Sequence, residues 1–142
     1  MTIAAILQGK GDEVVEVSPQ ESVLSVVKLL AERRIGCVPV VENGQVVGIF
    51  SERDVIYRLG REGPAILDAP VGTVMTSPAH TTDPATPVIS ALSTMTKRRI
   101  RHLPVVVDGA MIGFVSIGDL VKYRIDRIEA EAAAMREYIQ NA

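Results

Sequence analysis

Two segments of the chain carry a serine three residues ahead of an aspartate: Ser51-Glu52-Arg53-Asp54 and Ser116-Ile117-Gly118-Asp119. That spacing supports two kinds of chemistry. An ionised carboxylate only accepts hydrogen bonds, so Asp54 and Asp119 can each receive both hydroxyls of a ribose, while the serine and the start of the following helix face a phosphate. The same pattern is also a helix capping box, in which the two side chains satisfy backbone N–H groups of the first turn. Residue types alone leave both readings open. Arg101-His102, just ahead of Leu103-Pro104, is a second candidate. A guanidinium grips phosphate with paired donors and a nearby imidazole adds one more, although His102 can equally be a partly buried ring with an ordinary hydrogen bond.

Other reactive residue types are scarce. The histidines are His80 and His102, the only cysteine is Cys37, and no HExxH, CxxC or Gly-x-Ser-x-Gly pattern occurs. The expected catalytic and metal-ligating residues are therefore none. A lone Cys37 excludes an internal disulfide, fits a reducing cytoplasm and reads best as a small buried hydrophobe. The run Lys97-Arg98-Arg99-Ile100-Arg101 straddles a helix end, where cations favour the last carbonyls, and reads as a solvated helix terminus. With a net charge of −2 the chain has no broad positive field for a nucleic acid. The apolar start Met1 to Leu7 lacks a basic flank and is soon interrupted by Lys10, Asp12 and Glu13. No window approaches a membrane span, so a soluble cytoplasmic protein is expected.

The elements that must position these residues come from an internal repeat. Shifting the chain by 65 positions aligns Pro19 with Pro84, Arg33-Arg34-Ile35 with Arg98-Arg99-Ile100, and Pro39-Val40-Val41 with Pro104-Val105-Val106. The same shift aligns Gly44 with Gly109, Gly48 with Gly113, Ser51 with Ser116 and Asp54 with Asp119. Each unit reads as strand, helix, strand, strand, helix. In the first, Glu13–Val17 is extended, Ser18 caps a helix with Pro19 in its first turn and Glu21 completing the box, and Gly36 ends it. Val23, Val26, Val27 and Leu30 form its apolar face. Asn43-Gly44 turns a hairpin, and a second helix follows Ser51. In the second unit Asp83-Pro84 starts the helix, Val88, Ala91, Leu92 and Met95 form its face, and Asp108-Gly109 turns the hairpin. Hydrophobic residues are 47% of the chain but aromatics only 4%, so Val, Ile, Leu, Ala and Met must build the core. One unit is too small to bury its own apolar surface, and two packed by pseudo-twofold symmetry solve that problem.

The order helix, Arg-Arg-Ile, Pro-Val-Val, Gly turn and Gly-hydrophobic-hydrophobic-Ser-x-x-Asp, twice over, resembles a tandem pair of cystathionine β-synthase (CBS) repeats, or Bateman module, over roughly residues 1 to 125. The resemblance implies an α/β (α+β) fold of two β-α-β-β-α repeats packed sheet to sheet. It implies a stand-alone, non-catalytic sensor of adenosine compounds such as AMP, ADP, ATP, NAD(H) or S-adenosylmethionine. Similar pairs regulate inosine-monophosphate dehydrogenase, chloride channels and AMP-activated kinase. One implied cleft is formed by Thr73, Met75, Thr76, Ser77, Pro78, Ala79, Ile100, Arg101 and His102 with Ser51, Arg53 and Asp54 of the other repeat. In it the Val-Met-Thr stretch lines the adenine pocket, Asp54 holds the ribose and Arg101 the phosphate. The second uses Lys10 to Val17, Ile35 and Gly36 with Ser116 and Asp119. Gly36 and Cys37 stand where Arg101 and His102 do, so its phosphate side is poorer unless Lys10 compensates. The alternative reading is a ligand-free interaction or oligomerisation module.

The expected division is residues 1–62 for the first repeat with its N-terminal segment, 63–72 for the linker, 73–125 for the second repeat and 126–142 for a helical extension. After Asp119 the sequence runs without Gly or Pro, and Val121, Ile125, Ile128, Ala132, Met135 and Ile139 form an a/d seam flanked by the i,i+4 pair Arg127 and Glu131. Beyond about Glu129 such a helix outruns its own repeat, and a homodimer is expected.

Overall fold

The computed structural model describes residues 1–11 and 13–142. Asp12, expected among the charges that end the apolar N-terminus and within the second cleft, lies outside the described residues. Helix α1 (Ile3–Lys10) leads into α2 (Val23–Arg33), the hairpin β1 (Cys37–Glu42) and β2 (Gln45–Ser51), and α3 (Glu52–Glu62). Two short 3-10 turns, Pro64–Asp68 and Val71–Thr73, connect to the second copy: α4 (Val88–Arg98), β3 (His102–Val107), β4 (Ala110–Ser116) and α5 (Ile117–Gln140). Among the described residues no helix is long and apolar enough to cross a membrane.

The two hairpins repeat each other in detail. Each is antiparallel, with Pro39 opposite Ile49 and Pro104 opposite Phe114, and each carries a register shift in the matching place, after Val40 and after Val105. Both turns need two successive positive φ angles, 54° and 78° at Asn43-Gly44 and 51° and 82° at Asp108-Gly109, and Asn, Asp and Gly are the residues that tolerate them. The hairpins meet side by side, where Met111 N–H donates to the Gly44 carbonyl at 3.2 Å.

Three local expectations are corrected. The run Glu13–Val17 is not a strand. Only Val17 pairs, in a single parallel bridge to Val40; it is the one fully buried residue of the run, Val15 packs partly against the core, and Glu13 and Glu16 stay in solvent. Helix α2 starts after Ser22 rather than Ser18, and Ser22 Oγ accepts from Ser25 N–H at 3.1 Å. The Ser18–Glu21 contact exists, with Ser18 N–H donating to Glu21 Oε2 at 2.7 Å, but it closes a turn. Tertiary pairing sets the later start: Val71 N–H donates to the Glu21 carbonyl and Val23 N–H to the Ala69 carbonyl, holding Ser22 extended in a bridge to Pro70. The second copy does the same with Asp83, whose carboxylate accepts from Ala85 N–H, while α4 begins after Pro87, paired with Thr2. Finally, Gly36 does not end α2. Arg34 does, in the left-handed region at φ 54°, and Arg99 ends α4 at φ 55°. The next residue closes each end, Ile35 N–H to the Leu30 carbonyl and Ile100 N–H to that of Met95, which offsets the cost of a left-handed arginine.

Each half completes its core with a segment from outside its repeat. Ile66, Val71 and Val74 of the connection pack with Val23, Val38 and Phe50 of the first copy. Ile3 and Ile6 of α1 pack with Val88, Leu103 and Leu120 of the second. Matching glycines receive these arrivals. A Cβ on Gly48 would lie 2.5 Å from the Met75 sulfur and 2.8 Å from the Thr76 carbonyl oxygen, and one on Gly113 2.5 Å from a Leu7 methyl, so Gly48 excludes a side chain and one on Gly113 would displace Leu7.

Candidate functional site

Asp54 is placed by the start of α3. Its Oδ2 accepts from Ser51 N–H at 2.9 Å, and Ser51 Oγ accepts from Asp54 N–H at 3.4 Å, so the capping box is complete. Capping leaves the other oxygen available, and Oδ1 accepts from the Thr76 hydroxyl at 2.8 Å. Thr76 reaches it because its backbone exchanges two 2.9 Å hydrogen bonds with Ile49, an approach that the missing side chain of Gly48 permits. In front of this carboxylate lies a cleft of about 290 Å³.

This first cleft brings together Ser51, Arg53, Asp54, Thr76, Pro78, Ala79, Ile100, Arg101 and His102, all singled out in the sequence. It does not bring in Thr73, Met75 or Ser77. Thr73 Oγ1 donates to the Pro70 carbonyl at 2.8 Å, Ser77 Oγ donates to the Val47 carbonyl at 2.8 Å, and Met75 covers Gly48 against the first core. The walls also include Ile49, Glu52, His80, Arg98 and Arg99, which sequence reasoning did not assign to it. For Arg98 and Arg99 the signal was present. The left-handed turn at Arg99 folds the end of the basic run over the cleft, so the helix terminus and the cleft wall are the same residues. Arg53 Nη1 spans the opening to the Arg99 carbonyl at 3.5 Å.

Asp119 repeats the capping geometry, with Ser116 N–H donating to Oδ2 at 2.8 Å. Here the same oxygen also meets the Lys10 ammonium at 2.6 Å, and Lys10 donates to the Phe114 carbonyl at 2.5 Å. Burial disfavours the charge on Asp119, but the Lys10 and Ser116 hydrogen bonds outweigh it and hold the carboxyl below the usual carboxylate range. The second cleft, about 470 Å³, includes Lys10, Val14, Val15, Ile35, Gly36, Ser116 and Asp119. Val17 is absent from it, being buried in the first core.

His102 and Cys37 border both clefts. The His102 ring is partly buried and stacks on Phe114, centroids 5.4 Å apart and 12° from parallel. Burial first, then the positive charge of Lys10, lowers its pKa below the ordinary value, so the ring is neutral at pH 7 and adds at most one uncharged donor. Burial, reinforced by Asp54 and Glu52, pushes the Cys37 thiol up to about 12, as suits a buried hydrophobe.

The CBS domain family matches residues 11–61 and 71–126. The chain belongs to the CBS domain family. It is 32% identical over 148 residues to the mitochondrial CBS domain-containing protein CBSX3 of Arabidopsis thaliana, covering 98% of this chain and 72% of that one. The crystal structure of the CBS-domain protein ATU1752 from Agrobacterium tumefaciens superposes with a TM-score of 0.82 at 34% identity, over 87% of this chain and 99% of that one. The CBS pair of protein MJ0100, solved in complex with 5′-methylthioadenosine and S-adenosyl-L-methionine, shares the fold with a TM-score of 0.77 at 22% identity, over 89% of this chain and 98% of that one. The α/β pair of repeats with its long C-terminal helix is thus the CBS pair architecture.

Proposed function

We propose that this CBS pair is a non-catalytic regulatory module that holds an adenosine nucleotide (AMP, ADP, ATP or NAD(H)) in its first cleft and acts as a cytoplasmic homodimer. The supporting observation is the set of groups around one cavity. The Asp54 carboxylate and the start of α3 share it with Arg53, Arg98, Arg99 and Arg101, and none of these arginines is in a salt bridge among the described residues. A ribose hydroxyl takes over the Asp54 Oδ1 bond that Thr76 makes, one hydroxyl replacing another. The phosphates meet the guanidiniums, and Ile49, Pro78, Ala79 and Ile100 give the base an apolar slot. The adenosine compounds in the MJ0100 complex support the ligand class. The repeats follow the division 1–62, 63–72 and 73–125, with 126–142 as the extension.

The nucleotide regulates by binding one arrangement of the repeats more tightly than another. Thermal unfolding with adenosine, AMP, ADP, ATP, NAD and S-adenosylmethionine tests the reading. A ligand at 100 times its dissociation constant adds about 2.7 kcal/mol of stability. Stabilisation by nucleotides supports it, and a flat response to all six overturns it in favour of a ligand-free interaction module. Turnover of any of them would overturn the non-catalytic assignment.

A further inference from the structure

Helix α5 runs for 24 residues, with Leu120 buried and every residue from Arg124 onward exposed. The seam read from the sequence is exposed along its length, with Val121 42%, Ile125 49%, Ile128 49%, Met135 60% and Ile139 66% accessible. The charges beside the seam say what covers it. With Val121, Ile128 and Met135 at d positions and Ile125, Ala132 and Ile139 at a positions, the charged g residues are Arg124 and Glu131, the third g position being Tyr138, and the charged e residues are Lys122, Glu129 and Arg136. All five charged flanking residues are exposed.

We propose that α5 pairs with α5 of a second copy as a parallel, in-register two-stranded coiled coil. The inference rests on the homodimer reading above and adds its geometry. In a parallel pair each g residue faces the e residue five positions on in the other chain. Arg124 then meets the partner's Glu129, and Glu131 meets the partner's Arg136, opposite charges in both cases. The one antiparallel register that also pairs all six seam residues is centred on Ala130, so that Val121 faces the partner's Ile139. It sets Glu129 and Glu131 each against its own copy and Lys122 against the partner's Arg136, so its charged neighbours repel. The contact within the chain, Arg127 to Glu131 at 3.6 Å, lies on the outer side of Glu131 and leaves its second oxygen for Arg136 of the partner. The self-complementary pattern selects a second copy, and it selects direction as well.

The test uses the full chain. A spin label on Asn141→Cys reports direction, since buried Cys37 with its raised pKa does not compete for the reagent. Parallel helices bring the two labels within about 10–20 Å, whereas the antiparallel register separates them by about 30 Å. Arg124→Glu and Glu129→Arg each raise the dimer dissociation constant about fivefold or more, and an equimolar mixture of the two variants forms a heterodimer at the original strength. A long label distance, or no recovery on mixing, overturns parallel pairing but leaves the homodimer and the nucleotide reading standing. A monomer at micromolar concentration overturns the pairing and the homodimer together. Sedimentation of a larger species overturns the two-stranded form. A thermal shift with AMP on the same samples reads the nucleotide site independently.

Discussion

At the start of α3, the Asp54 oxygen that is not occupied by capping accepts from the hydroxyl of Thr76. At the start of α5, the Asp119 carboxylate takes the ammonium of Lys10 instead. Both aspartates sit in the same capping box, and both face a cleft between the repeats. What differs is the segment laid against each hairpin. Against the first lies the connection ending in Met75-Thr76, and against the second lies the C-terminal end of α1, where Lys10 stands 65 positions before Met75. A neutral hydroxyl leaves the Asp54 charge without a salt-bridge partner among the described residues. An ammonium at 2.6 Å neutralises Asp119, and the second cleft has Gly36 where the first has Arg101. Duplicated motifs therefore keep their structural duty in both copies, while the neighbour decides which carboxylate is paired with a charge.

The strongest way to break this comparison is to remove the two carboxylates in turn. Asp54→Ala weakens nucleotide binding by about 30-fold, the loss of a hydrogen bond to a charged acceptor, whereas Asp119→Ala changes it less than about twofold. Calorimetry giving equal losses would mean that the two clefts are equivalent. Both variants also lose the N3 half of a capping box, so thermal stability falls in both and only binding separates them.

Arg101→Ala comes next. It lowers AMP affinity about tenfold and adenosine affinity less than about twofold, because the guanidinium meets only the phosphate. Equal weakening of the two ligands would remove Arg101 from the phosphate site.

Lys10→Met carries a smaller effect and sharpens the comparison at the second cleft. At neutral pH it costs about 0.5–1 kcal/mol of stability, as a partly exposed ion pair does. Since the folded-state pKa of Asp119 is depressed, its contribution is present above the ordinary carboxylate value and is lost as pH falls through the depressed one. The variant should show a shallower acid-side loss in urea unfolding followed across pH, and an unchanged slope would show that the ammonium does not hold the carboxylate.

The smallest effect is at His102. Its folded pKa is lowered by burial first and by Lys10 next, so its contribution to stability is present above the ordinary histidine value and is lost as pH falls through the lowered one. An NMR titration should place the ring midpoint below about 6.5, and Lys10→Met should raise it part of the way. A midpoint at or above the ordinary value would contradict the stacked, buried ring.

Much of this was legible before any coordinates. The 65-residue repeat, the hairpin turns at Asn43-Gly44 and Asp108-Gly109, the capping boxes at Ser51 and Ser116 and the long last helix all rest on local chemistry, where a few residues fix φ, ψ and the first hydrogen bonds. The helix starts at Ser22 and after Pro87 were not legible. Ser18 and Asp83 offered good local caps, and backbone pairing with segments some fifty or more residues away overruled them. Thr73, Met75 and Ser77 missed the cleft for a similar reason, since carbonyls and a glycine elsewhere in the fold claimed their side chains.

By itself, the sequence determined that two like units exist, where each hairpin turns and how the helix after each hairpin is capped. Only the tertiary structure decided that α1 crosses to the second unit, that Lys10 closes on Asp119, and that Arg98 and Arg99 turn toward the first cleft. The physical reason is range. Capping and turn formation are settled within four residues, whereas the availability of a carboxylate depends on which distant segment packs beside it, and the repeat, being the same in both halves, carries no information about that neighbour.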